Sequence, residues 1–574
     1  MTQTKTGDAK RTRRSRAGDA PAAQDLRGSL LEGLPVEDRR MELAGIPTAL
    51  VEGGEGPSLV LLHGPGEHGL KWCSVLEDLV ADHHVVAPDL PGHGASDSGS
   101  EPLDAPRIIA WLDALVEHCC EDRPGLVGQI VGGAIAARYA VEHGDRITSL
   151  VLADALGLAP FRPAPEFAQA LEAFVQQPDP ERFEGLWRRC ASDLDGLRER
   201  MGARWRHFQA YTLDRARDEE VRTTMGSLLE HFGHRAIPDE ELARISVPTV
   251  LVWGRDDLAT PIGIAEDTSR RFDWPLYVIE DVGDDPALER PQTFVATLRT
   301  ALERQERSAD WSAIARGYDA FVTPSHAWLA ERGLDEADLR RGMRFLDVAS
   351  GTGALSVPAA RRGADVTAVD LSPVMLEELA TRADAEGLDV ETRVMDGHDL
   401  HFEDGSFDVV GSQFGVMLFD EAERAIRESV RVVRPGGSVL LTVFGDPSEV
   451  EFLHFFVGAV KKVRPGFELP SHPPPLPFQF RDPATLRSAM EGGGLGDETI
   501  SSVTERMEFR DGRHLWAWLL NSNPIPGAIL DDLDVDEDER TVMVDALSEM
   551  VRARAGGRAT AVLESPIHIA VGIR

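Results

Sequence analysis

A chain of 574 residues exceeds what one hydrophobic core ordinarily organises, so at least two globular domains are expected. With 42% apolar and 27% charged residues the composition is that of a folded soluble protein, and no run approaches the roughly 18 apolar residues a spanning helix needs. A net charge of −37 argues against nucleic acid or an anionic membrane as partner, since both call for a basic face.

In chain order, residues 1–34 read as a disordered basic tail. The opening MTQTKTGDAKRTRRSRAGDAPAAQD has an arginine cluster and then small polar residues. It has neither the apolar core of a signal peptide nor the periodicity of a transit helix. Cys73, Cys119, Cys120 and Cys190 lack metal-ligand spacing and the adjacent pair cannot easily bridge, so no metal and a reduced, cytoplasmic protein are expected. Short β-rich runs then alternate with helical patterns twice over, which signals an α/β protein with two parallel sheets. The first series, 35–305, runs from Ser58-Leu-Val-Leu-Leu62 to Leu276-Tyr-Val-Ile279. After Leu150-Val-Leu-Ala-Asp154 it is interrupted by helical, charged sequence at about 157–240, expected to form a cap over the strand ends. The charged segment RQERSAD (304–310), without core residues, puts a boundary near residue 306. The second series, 306–574, opens at Met343-Arg-Phe-Leu-Asp347 and reaches a strand at Ser438-Val-Leu-Leu-Thr442. Within it Ser471-His-Pro-Pro-Pro-Leu-Pro477 is too proline-rich for helix or central strand and reads as a loop over a pocket.

Chemistry-bearing motifs are densest in the second series. Leu346-Asp-Val-Ala-Ser-Gly-Thr-Gly353 joins a predicted strand to a helix, with Gly351 and Gly353 allowing close backbone approach to a ligand. Asp370 ends the next strand, about 20 residues on, where a carboxylate accepts ribose hydroxyls. Asp396-Gly397, Phe407-Asp-Val-Val-Gly-Ser-Gln-Phe-Gly415 and Arg431-Val-Val-Arg-Pro-Gly-Gly437 follow in order. A dinucleotide dehydrogenase would show a third glycine where this chain has Ser356.

The whole series, with Val369-Asp-Leu-Ser-Pro-Val-Met-Leu376, resembles the class I methyltransferases, especially the ubiquinone/menaquinone-biosynthesis-like group. The resemblance implies a Rossmann-like fold and S-adenosylmethionine as cofactor. Asp347, Ser350, Gly351, Thr352 and Gly353 would hold its amino-acid part and Asp370 its ribose. Leu371 and Met375 would lie near the adenine, Asp396 and Gly397 at the adenine edge, and Gln413 on the methyl-donor side. Trp311, Tyr318 and Phe321 resemble the helix that lids the acceptor in such enzymes, with plain helix packing as the alternative. His326, His454 and His472 are the candidate bases, each equally readable as a surface or core histidine.

The first series resembles the α/β-hydrolase family through Leu61-Leu-His-Gly-Pro65, Ala87-Pro-Asp-Leu-Pro-Gly-His-Gly-Ala-Ser96, Leu126-Val-Gly-Gln-Ile-Val-Gly-Gly133, Val252-Trp-Gly-Arg-Asp-Asp257 and Val282-Gly-Asp-Asp-Pro-Ala-Leu-Glu-Arg-Pro291. The family's nucleophile elbow reads G-x-S-x-G, whereas here Ile130 takes the serine position and Asp284 the histidine position, leaving only the acid, Asp257. Pro65 has no N–H to give an oxyanion, so Val131 N–H, or a shifted Gly66, remains. Asp284 is read as a solvated loop residue, with a proton-sharing pair with Asp257 as the alternative.

These readings converge on a methyltransferase for a small, apolar metabolite, fused to a non-hydrolytic hydrolase fold that binds substrate or supports assembly, a homodimer included. A pocket catalysing cyclisation, decarboxylation or elimination, and a pure scaffold, stay open. The Ala/Gly/Asp-rich, arginine-biased composition suggests a bacterial source and secondary metabolism.

Overall fold

The computed structural model describes residues 23–272, 274–469 and 475–574. The chain divides into two compact units, Met1–Leu302 and Glu303–Arg574. The charged segment expected to lie between them is part of a continuous helix, Pro291–Phe321, and Ser308 within it is buried. Its charges suit the solvent side of a helix as well as they suit a linker, so composition alone did not separate the two.

Unit 1 is built on an eight-stranded sheet: β1 (Glu37–Leu43), β2 (Ile46–Gly53), β3 (Ser58–Leu62), β4 (His84–Pro88), β5 (Gly125–Gln129), β6 (Ser149–Ala153), β7 (Thr249–Gly254) and β8 (Leu276–Ile279), in the order β1-β2-β4-β3-β5-β6-β7-β8. The first two strands run antiparallel and the rest parallel. Strands β3, β5, β6 and β7 are buried throughout, which explains their unbroken apolar sequences. Between β6 and β7 the chain leaves the sheet for the helices Pro165–Gln176, Pro180–Cys190, Leu194–Met201, Ala203–Ala216 and Glu219–Leu228. Direction reverses between β3 and β5, so a crevice opens beyond their C-terminal ends.

The N-terminal tail is shorter than expected. Ala23–Leu31 is a helix, with Leu30 fully buried. Arg27, also buried, donates to Asp38 and, at 2.8 Å, to Asp89. The basic, small-residue composition preceding it masked one apolar turn. Residues 1–22 lie outside those described.

Unit 2 has a seven-stranded sheet: β9 (Arg344–Val348), β10 (Asp365–Asp370), β11 (Val390–Val394), β12 (Phe407–Gln413), β13 (Val433–Phe444), β14 (Gly496–Phe509) and β15 (Ala561–Ile573), in the order β11-β10-β9-β12-β13-β15-β14. Five strands are parallel, and β15 and β14 close the edge antiparallel. The switch point lies between β9 and β12, and the glycine loop leaves β9 there. Among the described residues no helix is long and apolar enough to cross a membrane, and no cluster of His, Cys, Asp or Glu is arranged for a metal. All four cysteines are free.

Candidate functional site

At the switch point of unit 2 lies a cavity of about 770 Å³, counting its open mouth. Of the cofactor residues expected from sequence, Gly351, Asp370, Leu371, Met375, Gly397 and Gln413 line it. Gly351 has φ +52°, and the nearest atom a Cβ there would meet is Tyr318 Cε1 at 3.6 Å, so the loop turns with its backbone open to the cavity. Asp370 accepts from the N–H of Gly351 at 2.8 Å and of Ser372 at 2.9 Å, and burial raises its pKa. A carboxylate has about four lone-pair positions, so two remain for a ligand.

The other expected residues act from behind. Asp347 is buried and accepts from Ser356 Oγ at 2.6 Å, and desolvation pushes its pKa up to about 7. Thr352 and Thr323 share a hydroxyl hydrogen bond of 2.6 Å, and Gly353 closes the turn by donating to Ser350 O. Ser350 Oγ is buried without a partner. Asp396 is held by the backbone and ring nitrogens of its neighbour His398 and stands 3.6 Å from Arg304. Burial alone would raise the Asp396 carboxyl, but the His398 hydrogen bond and Arg304 hold it well below the usual carboxylate range. Gly397 and His398, rather than Asp396, face the cavity.

Two lining residues have no motif of their own. Ala349 (φ 55°) and Phe414 (φ 59°) sit in the left-handed region at the ends of β9 and β12, a strain that concentrates where the surrounding fold overdetermines the backbone.

A second cavity, about 890 Å³ with its mouth, shares Trp311, Tyr318, Phe414 and Leu418 with the first. Its remaining wall is largely aromatic and aliphatic, including Phe444, Phe452, Phe478 and Trp518. Of the candidate bases among the described residues, His326 lines it and His454 does not. Neither ring nitrogen of His326 has a hydrogen-bond partner, and Nε2 lies 3.6 Å from Oε1 of Glu505, a β14 residue that is fully buried and equally unpartnered. Burial pushes His326 down to about 4 and Glu505 up to about 8. His454 is exposed on the helix Glu451–Val463 and away from both cavities, and His472 lies outside the described residues. Most of the proline-rich loop is outside them too, but Pro475 and Pro477 border the second cavity. Phe321 is 38% exposed and lines neither cavity, whereas Trp311 and Tyr318 line both.

In unit 1, Ile130 sits at the turn from β5 into the helix Val131–His143, with φ 47° and ψ −110°. Such angles are an outlier for a β-branched residue. A Cβ on Gly128 would lie 2.4 Å from Gly132 O, and one on Gly132 would lie 2.5 Å from Leu62 O. The elbow's tight packing therefore persists although its apex carries no nucleophile.

Asp284 is not a solvated loop residue. It is 5% exposed, held by its backbone N–H on Cys190 O and its carbonyl under Gln129 Nε2. Burial raises its carboxyl well above the usual range, reinforced by Asp257, whose own carboxyl burial pushes up to about 6. Next to Pro65, Gly64 N–H is taken by a side chain of the fold, donating to Glu67 Oε2 at 2.7 Å. Ile130, Glu67 and Asp284 border a cavity of about 1110 Å³ with its mouth, roofed by cap aromatics such as Phe174, Trp187 and Phe208.

An elbow with a strained apex beside an eight-stranded sheet and a helical cap defines a hydrolase fold, and a glycine loop at the switch point of a seven-stranded sheet defines a nucleotide-type cofactor fold. The comparisons give these their family names: the chain belongs to the α/β hydrolase fold family over residues 57–291 and carries a methyltransferase domain at residues 346–441. It is 24% identical to the biotin biosynthesis bifunctional protein BioHC of Cellvibrio japonicus, over 69% of this chain and 78% of that one. Unit 1 is similar to the pimeloyl-[acyl-carrier protein] methyl ester esterase of Chromobacterium violaceum, with 32% identity over 44% of this chain and 96% of the relative. A shorter match, 46% identical over 18% of this chain, links it to an uncharacterized protein of Mycobacterium tuberculosis, of which it covers 37%.

Proposed function

We propose that unit 2 transfers a methyl group from S-adenosylmethionine to a small, largely apolar acceptor, and that unit 1 is a hydrolase fold that binds an apolar substrate without hydrolysing it. One observation carries the first part: a cavity with a glycine loop and a strand-end carboxylate adjoins an aromatic chamber, and the two share a wall.

The residues fit the cofactor. Gly351 presents open backbone, Asp370 keeps free lone pairs, Leu371 and Met375 offer apolar contact, and Gln413 Oε1 is buried without a partner. When bound, the cofactor supplies a methyl group already activated on a sulfonium. The chain's task is then alignment, because the gain comes from holding the acceptor in line. Trp311, Tyr318 and Phe414 shape the chamber and exclude water, and the apolar wall orders the acceptor's body. Where the acceptor's nucleophile must lose a proton, neutral His326 is the group placed to take it, with the Glu505 carboxyl 3.6 Å behind it. Titration calorimetry with S-adenosylhomocysteine is the test: micromolar binding is expected for the wild type and at least a hundredfold weaker binding for Asp370→Ala. Absence of binding to the wild type overturns the reading.

For unit 1, Ile130 offers no lone pair to a carbonyl carbon, Asp284 replaces the histidine, and Pro65 has no N–H to give an oxyanion. The named ester-cleaving relative makes this pointed: a methyl-transfer unit joined to a related fold without the cleaving groups leaves a methylated product intact. A second reading has one observation in its favour. Burial raises both Asp257 and Asp284, which favours their protonated forms and suits an acid-assisted cyclisation, decarboxylation or elimination. A small-molecule acceptor in the cytoplasm, with no nucleic-acid or membrane partner, accords with the charge, and a homodimer through unit 1 remains a scaffold alternative.

A further inference from the structure

The cavity of unit 1 is apolar along its roof and acidic at its floor. Six carboxyl groups gather there, those of Glu67, Asp154, Asp257, Asp284, Asp285 and Glu289, around a single buried ammonium, Lys71. Lys71 lies 3.6 Å from Glu67 and 3.3 Å from Asp285. Five of the six accept from the fold's own backbone, Glu67 through one oxygen, from Gly64 N–H. Asp154 accepts from Gly254 N–H, Asp257 from Ala259 and Thr260, Asp285 from Leu288, and Glu289 from Gly283 and Ser192. Glu67 and Asp284 differ in bordering the cavity itself.

A second feature points the same way independently. His68 borders the same cavity, is 1% exposed, and has no hydrogen-bond partner on either ring nitrogen. Its edges rest on Phe208 and Tyr211, and burial pushes its pKa down to about 3, so it is a neutral imidazole with a free acceptor nitrogen. Among the described residues the one cation on the lining, Arg222, is solvent-exposed on the cap helix Glu219–Leu228. The floor is therefore rich in acceptors and negative charge. An anionic head would be repelled there, and a head without N–H or O–H donors would leave His68 unpartnered.

We propose that this cavity is a binding site for a primary ammonium carried on an extended apolar body, with Glu67, Asp284 and His68 receiving the ammonium and the cap aromatics covering the chain. An alkylammonium has three N–H donors for these three acceptors, and its apolar body would be desolvated by the roof. The assignment rests on the reading of unit 1 as a non-hydrolytic binding fold and names its substrate class.

The test is calorimetry on the full chain with dodecylamine, dodecanol and dodecanoate, each below its micellar concentration, at neutral pH, where the amine is a cation. Dodecylamine should bind once per chain and at least tenfold tighter than dodecanol, and dodecanoate weakest of the three. In Glu67→Gln/Asp284→Asn the amine should lose that tenfold preference while dodecanol binding stays within twofold. A melting temperature and far-ultraviolet spectrum matching the wild type establish that the double variant is folded, and each single variant serves if it is not. Equal or tighter binding of dodecanol or dodecanoate to the wild type overturns the ammonium assignment but leaves an apolar binding fold. A preference that survives in the variants overturns it too, by tracing the attraction to the overall charge of the protein. If none of the three binds, the binding-fold reading falls with it.

Discussion

Ile130 shows how a residue can hold a catalytic geometry while lacking the chemistry. A left-handed conformation costs an L-residue about 1–2 kcal/mol, and the fold retains it because Gly128 and Gly132 pack backbone against backbone around the turn. The apex is therefore shaped for a serine, yet restoring one would restore little. Ile130→Ser would place a hydroxyl in a cavity whose histidine position holds Asp284, a buried carboxyl raised well above the usual range and a poor substitute for an imidazole base, and whose Gly64 N–H is already taken by Glu67. We expect neither the wild type nor Ile130→Ser to be labelled by a fluorophosphonate probe. Labelling of the serine variant at rates typical of serine hydrolases would mean that another group supplies the base, and labelling of the wild type would mean that the nucleophile lies elsewhere.

At the scale of elements, the two sites draw on segments that differ in how plainly the sequence marks them. The glycine loop after β9, Asp370 at the end of β10 and the elbow after β5 are each local: a strand, a turn and a helix in consecutive residues, so spacing exposed them. The burial of Asp284 was not legible, because it depends on Cys190, nearly a hundred positions earlier in the cap, whose carbonyl holds the Asp284 backbone. Glu505 was hidden for a related reason. It lies on an antiparallel edge strand with alternating burial, where a glutamate reads as a solvent-facing position, yet its side chain is fully buried next to His326. The sequence offered three histidines, and only tertiary placement chose among them. That choice has a consequence for turnover. With an acceptor whose nucleophile carries a proton, His326→Ala should lower kcat about 10²–10⁴-fold while S-adenosylhomocysteine binding changes less than twofold. Glu505→Gln should lower kcat less and move the pH profile. An unchanged kcat in His326→Ala would show that the acceptor arrives already ionised and would remove the base role.

Across the whole molecule, both units bury carboxyls that are protonated when folded and ionised when unfolded, and this sets how stability responds to pH. Glu289 and Asp347 are pushed up to about 7 and Glu505 to about 8, in each case chiefly by burial, and Asp154 and Asp284 stand well above the usual range. An unfolded carboxyl titrates near pH 4, so between there and its folded pKa each such group binds more protons in the folded state. Its contribution is then complete below the unfolded pKa and is lost as pH rises through the folded one. Below about pH 6.5 buried histidines oppose the trend, because His63, His68, His93 and His326 are all lowered by burial and resist the charge that unfolding would let them take. Above that point they are neutral in both states and the carboxyls set the slope, joined toward pH 8.5 by the four cysteines, whose thiols burial raises above an unfolded value of about 8.5. Stability should therefore fall from pH 6.5 to 8.5, at about 1.4 kcal/mol per pH unit for each proton involved. Carboxyls held low by partners, such as Asp396 and Asp408, are ionised in both states over this range and add no slope. Denaturant unfolding across the window measures the slope directly. Glu505→Gln should flatten it by about one proton, and a slope that is zero or rises with pH would show that these carboxyls are ionised in the folded protein.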